Sequence, residues 1–335
     1  MTNNHAAGIQ IKKRLLPFRE FHCPDKPYMD LTPEQSGIVN AFNHRVDGGE
    51  IELESIPCLC GSTVFDLVAS VDRYSMHQKT VMCSQCGLLQ SNPRMTDRQY
   101  RDFYSSDMYR LCYEGEDYLD VYKKRYDPEA TRHIFDAILR VKKIGPGVDV
   151  LELGAGGGWN LVPFSASGAN ATGIDYSESL VKMGRGHGLN MQQGGIEKIT
   201  GLFDIIVINH ALEHFPDPVG SLQNIVQHLK ADGLIYIAVP NIMNFGIGQL
   251  QNAHTYYFTP ATFEHYCRKA GLIPVRTGAA ETVHMFGIFI TAKKPSPVQL
   301  KDQHREMLAF FGKVKLKHIA KTILSKIHLY NGKLG

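Results

Sequence analysis

The chain has 335 residues, longer than an average domain, so one large unit with a smaller companion is expected. Its 43% apolar composition suffices for a buried core, and a net charge of +3 is too weak to argue for a nucleic-acid partner. No stretch approaches the ~18 uninterrupted apolar residues of a membrane span, and "MTNNHAAGIQIKKRLL" lacks an apolar signal core, so a cytoplasmic location is expected.

Residues 1–50 are polar and read as an irregular segment ending in the turn-like "RVDGGE". Residues 51–117 then hold "PCLCGS" and "CSQCGLLQSNPR", with 22 residues between Cys60 and Cys83. Cys58, Cys60, Cys83 and Cys86 come from two turns, each closed by a glycine (Gly61, Gly87), and suit a tetrahedral structural Zn²⁺. The first pair is C-x-C instead of C-x-x-C, which leaves His77 or Cys23 as a substitute for Cys58. Four buried cysteines without metal are the plainer alternative. Tyr100, Tyr104, Tyr109, Tyr113 and Tyr118 follow; they offer stacking surfaces for a sugar or nucleotide, although core packing is the commoner use.

Residues 118–295 form the larger unit. One or two helices over 118–142 and the "GPG" at 145–147 lead into strands at 148–154, 171–176, 189–194, 203–210 and 233–241. Helical stretches at 159–167, 178–186 and 219–229 separate them. Uniformly apolar strands alternating with helices predict a doubly wound α/β fold with a parallel sheet. Two closely spaced strands, 273–281 and 284–294, predict an antiparallel edge pair. The tail, 296–335, predicts a basic amphipathic helix packed on the domain. The sharper alternative is attraction to an anionic membrane surface or an anionic substrate carrier.

The stretch "LELGAGGGWN" at 151–160 carries the cofactor signal. A strand delivering glycines to a helix N-terminus lets the backbone approach a ligand without Cβ obstruction. The dinucleotide fingerprint G-x-G-x-x-G fails, because Trp159 occupies the third glycine position. Together with "GIDYS", "NHALEHFPDP" and "HLKADGLIYIAVPN" in that order, the chain over roughly 148–293 resembles the class I S-adenosylmethionine-dependent methyltransferases. The resemblance implies a Rossmann-like sheet with an antiparallel final strand, and S-adenosylmethionine as cofactor. It implies that Gly154, Ala155, Gly156 and Gly158 admit the methionine and ribose portions, with Glu152 near the amino group. Asp175 would accept the ribose hydroxyls and Tyr176 would pack by the adenine. The family's frequent acid after the third strand is replaced by Gly195, so adenine contacts pass to the backbone near Ile196, or to Glu197.

Ligands of such sheets bind beyond the carboxyl ends of the strands. That places Asn209 and His210 beside the cofactor, and His214 near the acceptor. The twenty-residue loop after the fifth strand adds His254. A histidine titrates near neutrality and suits removal of a hydroxyl proton, so His214, His254 and His210 are the candidate catalytic residues. No cluster of acids spaced for Mg²⁺ is visible, and metal-independent transfer is expected.

The cysteine module, followed by "CGLLQSNPRM" and "FYSSDMYR", resembles the zinc module that precedes class I methyltransferase domains in carbohydrate-modifying enzymes. That implies a sugar, nucleotide-sugar or glycan acceptor. The sugar C-methyltransferases of that group carry a further large domain where only the tail stands here, so O-methylation is expected. The alternatives are an RNA or protein methyltransferase whose zinc module holds the polymer, and a non-catalytic cofactor-binding scaffold. Arg73, Lys79, Arg94 and Arg98 are few and mixed with acids, which disfavours the polymer reading.

Overall fold

The computed structural model describes residues 8–331 apart from 24, 26, 107, 116, 128, 130, 245, 280–283, 294 and 297. The outer ends of the first and last expected segments, 1–7 and 332–335, therefore lie outside the described residues.

The N-terminal part contains β1 (Gln10–Arg14), α1 (Pro33–Asp47), β2 (Leu53–Glu54), β3 (Val64–Ala69), β4 (Thr80–Cys83), β5 (Leu89–Ser91) and β6 (Arg94–Met95). Helices α2 (Asp97–Ser105), α3 (Met108–Glu114) and α4 (Tyr118–Lys123) follow. The expected irregularity of residues 1–50 is corrected here. β1 pairs with β3, and α1 is a 15-residue helix with a capping box between Thr32 and Gln35 and with Pro33 at its first turn. Those signals stand in "LTPEQ", but the helix buries only Val39 and Phe42 fully, too narrow an apolar stripe to betray its period.

The second part begins with α5 (Arg132–Leu139) and continues through β7 (Asp149–Leu153), α6 (Val162–Ala166), β8 (Asn170–Asp175), α7 (Glu178–Gly186), β9 (Asn190–Gln193) and β10 (Phe203–Asn209). It is completed by α8 (Pro218–Ile225), β11 (Leu229–Pro240), β12 (Tyr256–Tyr257), α9 (Pro260–Lys269), β13 (Leu272–Ala279) and β14 (His284–Thr291). Seven strands form one sheet in the order β13-β14-β11-β10-β7-β8-β9. The five from β7 to β11 are parallel, and β14 runs antiparallel between β11 and β13. The expected Rossmann-like sheet with an antiparallel edge pair is the observed one. Its central strands are apolar on both sides because helices cover both faces: Leu151, Ile206, Ile208, Ile235 and Ile237 are fully buried.

The two parts share a sheet. β12, from the long loop after β11, pairs antiparallel with β5 and completes a five-stranded sheet of order β1-β3-β4-β5-β12. Asp72, in the β3–β4 connection, fastens the same loop. Its Oδ1 accepts from the N–H groups of Tyr74 (2.8 Å) and Met76 (2.9 Å). Its Oδ2 accepts from Tyr113 Oη (2.9 Å) and the Asn252 N–H (3.0 Å). The last element, α10 (Gln303–Asn331), packs Met307 and Phe311 against Leu16, Val68, Met82 and Leu89. The expected terminal helix is present, and it packs on the N-terminal sheet. No helix among the described residues is long and apolar enough to cross a membrane.

Asp72→Ala leaves buried donors from three segments without an acceptor, each costing about 1–3 kcal/mol. We expect a loss of about 3 kcal/mol or more, read as a lowered urea midpoint.

Candidate functional site

A cavity of about 730 Å³ opens at the carboxyl ends of β7 and β10. The sheet runs outward in opposite directions from these two neighbours, and open α/β sheets bind ligands at such a switch point. One wall is the glycine turn. Gly154 (φ +68°) and Gly156 (φ +56°) hold left-handed conformations. A Cβ on Gly154 would lie 2.7 Å from that of Ala211, and one on Gly156 would lie 2.7 Å from the Trp159 ring. Only glycine fits either place. Asp175, ending β8, accepts from the Gly156 N–H (2.7 Å) and the Ser177 N–H (2.9 Å), so its carboxylate stands at the lip of the turn. Tyr176, Gly195, Ile196 and Glu197 line the adjoining arm of the cavity, where Glu197 accepts from the Gly195 N–H (2.9 Å).

Beneath the turn lies a buried, half-satisfied acid. Glu152 Oε1 accepts from Asn160 Nδ2 (2.7 Å), while Oε2 is buried without a partner. Burial pushes this carboxyl up to about 8, against the pull of the Asn160 bond and with some help from Asp175. A cationic amino group arriving above it would restore the ionised form. The residues present thus fit an amino-acid-bearing nucleoside: an orphaned carboxylate oxygen, a backbone cradle and a carboxylate for paired hydroxyls.

The opposite wall comes from the N-terminal part. Tyr100, Tyr104, Tyr109 and Arg110 line the cavity, together with Tyr122 and Arg125, which reach the glycine turn at Trp159. Arg110 donates to Glu114 (2.7 Å) and Tyr122 Oη (3.0 Å). The Arg125 guanidinium lies over the rings of Tyr122 (4.5 Å) and Trp159 (5.1 Å) and forms no ion pair among the described residues.

Between the walls stands His214. Its Nδ1 is 3.0 Å from the Ala253 carbonyl and 2.8 Å from Tyr104 Oη. Tyr104 Oη donates to the same carbonyl (3.2 Å), so with Nδ1 protonated both oxygens accept from it and Nε2 is left with the lone pair. Glu213, 2% exposed, sits behind with Oε1 4.0 Å from His214 Nε2 and 3.4 Å from His210 Nδ1. Burial alone would raise Glu213, but the His210 bond and the neighbouring imidazoles hold it down to about 2. Burial lowers His214, with Glu213 pulling the other way, so the ring is neutral near pH 7.

The third feature is the cysteine cluster. Cys58 Sγ lies 3.5 Å from Cys86 Sγ, and Cys60 Sγ 3.6 Å from Cys83 Sγ. All four sulfurs fall within 4.8 Å of one another, close to the ~3.8 Å edge of a Zn–thiolate tetrahedron. His77 and Cys23, the substitutes for Cys58, instead contact Asp47 and Asp25.

Residues 124–276 match the family model described as "Methyltransferase domain". The chain carries a class I S-adenosylmethionine-dependent methyltransferase domain. It is 29% identical over 151 residues to the ubiquinone biosynthesis O-methyltransferase of Aromatoleum aromaticum, covering 38% of this chain and 64% of that one. It is 35% identical over 104 residues to the enzyme of the same name from Coxiella burnetii, covering 28% of this chain and 44% of that one. The chain therefore spans about half the length of these curated relatives. Among solved structures it is similar to magnesium protoporphyrin IX methyltransferase from Synechocystis with bound SAH, at 14% identity and a TM-score of 0.46, covering 59% of this chain and all of that one.

Within the methyltransferase domain, the structure gathers Gly154, Ala155, Gly156, Asp175, Tyr176, Ile196, Glu197, Asn209, His210 and His214 around the cavity. Three expected residues stand elsewhere. Gly158 (φ +80°) stands outside the cavity lining, and a Cβ there would meet Met191 and Leu189, so its missing side chain lets the turn pack on β9. Glu152 acts from below the floor. His254 does not reach the cavity: it is buried with its ring 4.9 Å from that of His214, because the β12 pairing and the Asp72–Asn252 bond turn the loop inward. The tyrosines also divide. Tyr100, Tyr104 and Tyr109 line the cavity, while Tyr113 bonds Asp72 and Tyr118 bonds Ser179.

The sequence reading missed Glu213, Arg110 and Arg125. A search for paired acids overlooks the mixed set that folding assembles: ligand-type atoms of Glu213, His214 and His254 lie within 4.8 Å of one another. The "LEH" in "NHALEHFPDP" was its one visible trace.

Two outcomes follow from the cavity floor. Asp175→Ala should weaken S-adenosylmethionine binding by about tenfold or more, since a charge-assisted bond is worth about 1.5–3 kcal/mol. Trp159, the one tryptophan of the chain, lines the cavity and reports the titration by fluorescence. Binding a cationic amino group over Glu152 should release a proton, so affinity should rise between about pH 6 and pH 7.5. Calorimetry in buffers of different ionisation enthalpy measures that release, and Glu152→Gln should abolish it.

Proposed function

We propose that the chain transfers a methyl group from S-adenosylmethionine to a hydroxyl of a sugar, nucleotide sugar or glycan, with His214 as general base. The observation that carries this reading is the position of His214, an imidazole held at Nδ1 by the Ala253 carbonyl and lining the cavity between the glycine turn and the tyrosine-lined wall. S-adenosylmethionine, when bound, supplies a methyl carbon made electrophilic by its sulfonium. The acceptor oxygen bonds to that carbon as the carbon–sulfur bond breaks, and His214 Nε2 takes the hydroxyl proton. Tyr104 and the Ala253 carbonyl fix the ring, and the Glu213 carboxylate stabilises the imidazolium that forms. His254 is a positioning residue behind His214. Arg125, over the Trp159 ring, would meet the cofactor carboxylate, and Arg110, over the Tyr122 ring, would stiffen the wall.

Oxygen as the methylated atom is supported by the relatives' name, O-methyltransferase. A carbohydrate acceptor is supported by the tyrosine rings and charged side chains of the acceptor wall, a lining suited to stacking and hydroxyl hydrogen bonds. We further propose that Cys58, Cys60, Cys83 and Cys86 hold a structural Zn²⁺, a thiolate set kept reduced in a cytoplasmic setting. The metal would lock the β-turns beside Tyr266 of α9, whose Oη lies 3.5 Å from Cys86 Sγ.

Labelled S-adenosylmethionine offered with nucleotide sugars, glycans and RNA tests the acceptor; labelling of RNA alone overturns it. His214→Ala should lower kcat about a hundredfold or more with cofactor affinity intact, and Tyr104→Phe should lower kcat while sparing the fold. Loss of activity on chelation with zinc retained would instead make Glu213, His214 and His254 a cation site. Metal analysis should find one zinc per chain, and Cys83→Ser should unfold the N-terminal sheet.

A further inference from the structure

Helix α10 has two apolar faces, and the protein uses only one. Toward the N-terminal sheet, Met307 and Phe311 are buried and Val314 packs beside them. His318 stacks on Phe18 (3.7 Å) and pairs with Glu20 (2.9 Å). These positions recur at steps of three and four and so share one face. Leu316, Ile319 and Ile323 point about half a turn away, and they are 68%, 39% and 53% exposed. Leu324, 60% exposed, widens the stripe. Single exposed leucines are ordinary, but a stripe in register along the face opposite a packed one is a surface with a direction.

Charge says what that surface meets. Lys313 and Lys315 flank the stripe on its two sides and Lys317 lies beyond Lys313, while Lys321 falls on the side of Val314 and His318; no Asp or Glu occurs from 307 to 335. A second copy of the helix would set lysine against lysine with no acid to answer it. A nucleic acid would engage the lysines and leave the apolar stripe in water.

We propose that the outer face of α10 docks on an anionic lipid bilayer, lying in the plane of the headgroups. The apolar stripe enters the acyl boundary while the lysines reach the anionic headgroups on long apolar stems. The helix lies on the bilayer and does not span it, in keeping with the absence of a spanning helix among the described residues. The packed face keeps the rest of the chain on the water side.

The test is co-sedimentation of the full chain with vesicles of phosphatidylcholine, with and without phosphatidylglycerol. The protein should sediment with the anionic vesicles only and be released by salt. I319D/I323D, both at exposed positions, and K313Q/K315Q/K317Q should each weaken that binding by about tenfold or more. Trp159 fluorescence should show S-adenosylmethionine binding unchanged in both variants. No sedimentation with anionic vesicles at low salt overturns the proposal, as does undiminished binding by I319D/I323D. A wild-type dimer that I319D/I323D dissociates would assign the stripe to a second copy. RNA binding lost only in the lysine variant, without vesicle binding, would assign the face to nucleic acid.

Discussion

The pairing of β12 with β5 is the constraint on which the site depends. Two residues, Tyr256 and Tyr257, leave the methyltransferase domain and finish a sheet that belongs to the N-terminal part. A short strand alone is marginal, so it holds because its neighbours are fixed as well. Tyr256 is buried, Ser91 Oγ donates to the His254 carbonyl (2.6 Å), and the Thr255 N–H donates to the Glu213 carbonyl (2.8 Å). Those bonds set where Ala253 presents its carbonyl to His214, and hence which imidazole nitrogen is basic. The chemistry of one side chain is thus decided by a strand two residues long.

The same constraint explains why the cysteine cluster matters to a distant cavity. Cys83 ends β4, β4 pairs with β5, and β5 carries β12. Cys58 and Cys86 pack into the core that contains Tyr266, Phe258 and Phe263 of the methyltransferase domain. The N-terminal part is therefore not a separate bead on a linker. It supplies the tyrosine-lined wall of the cavity, including the tyrosine that bonds His214, while the parallel sheet supplies the glycine turn. His210 adds local tension: it holds a left-handed conformation (φ +53°) directly after β10, unusual for a side chain with a Cβ and common at functional turns.

Much of this was legible in the residues. The five parallel strands announce themselves because burial on both faces demands continuous apolar runs, and the glycine turn because left-handed backbone demands glycine. Trp159 in the third glycine position separated one nucleotide class from another, and in the structure that ring covers Gly156 and packs at a tilt against Tyr122 (4.7 Å). The cysteine spacing likewise put four sulfurs together. These are local signals, in which each residue answers to neighbours a few positions away.

What stayed hidden is what depends on long-range assembly. Nothing local distinguishes Tyr104, which bonds His214, from Tyr113, which bonds Asp72; both are tyrosines in short neighbouring helices, α2 and α3. His254 stood on the expected active-site loop, but the strand that turns it inward pairs with residues more than 160 positions earlier. Glu213 gained its role only when folding buried it among three histidines. The sequence alone determined the glycine turn and the cysteine cluster, because left-handed backbone and paired cysteine turns are written in residue type. Only the tertiary structure decided which histidine meets the cavity and which tyrosine meets that histidine, because both depend on how two sheets are joined.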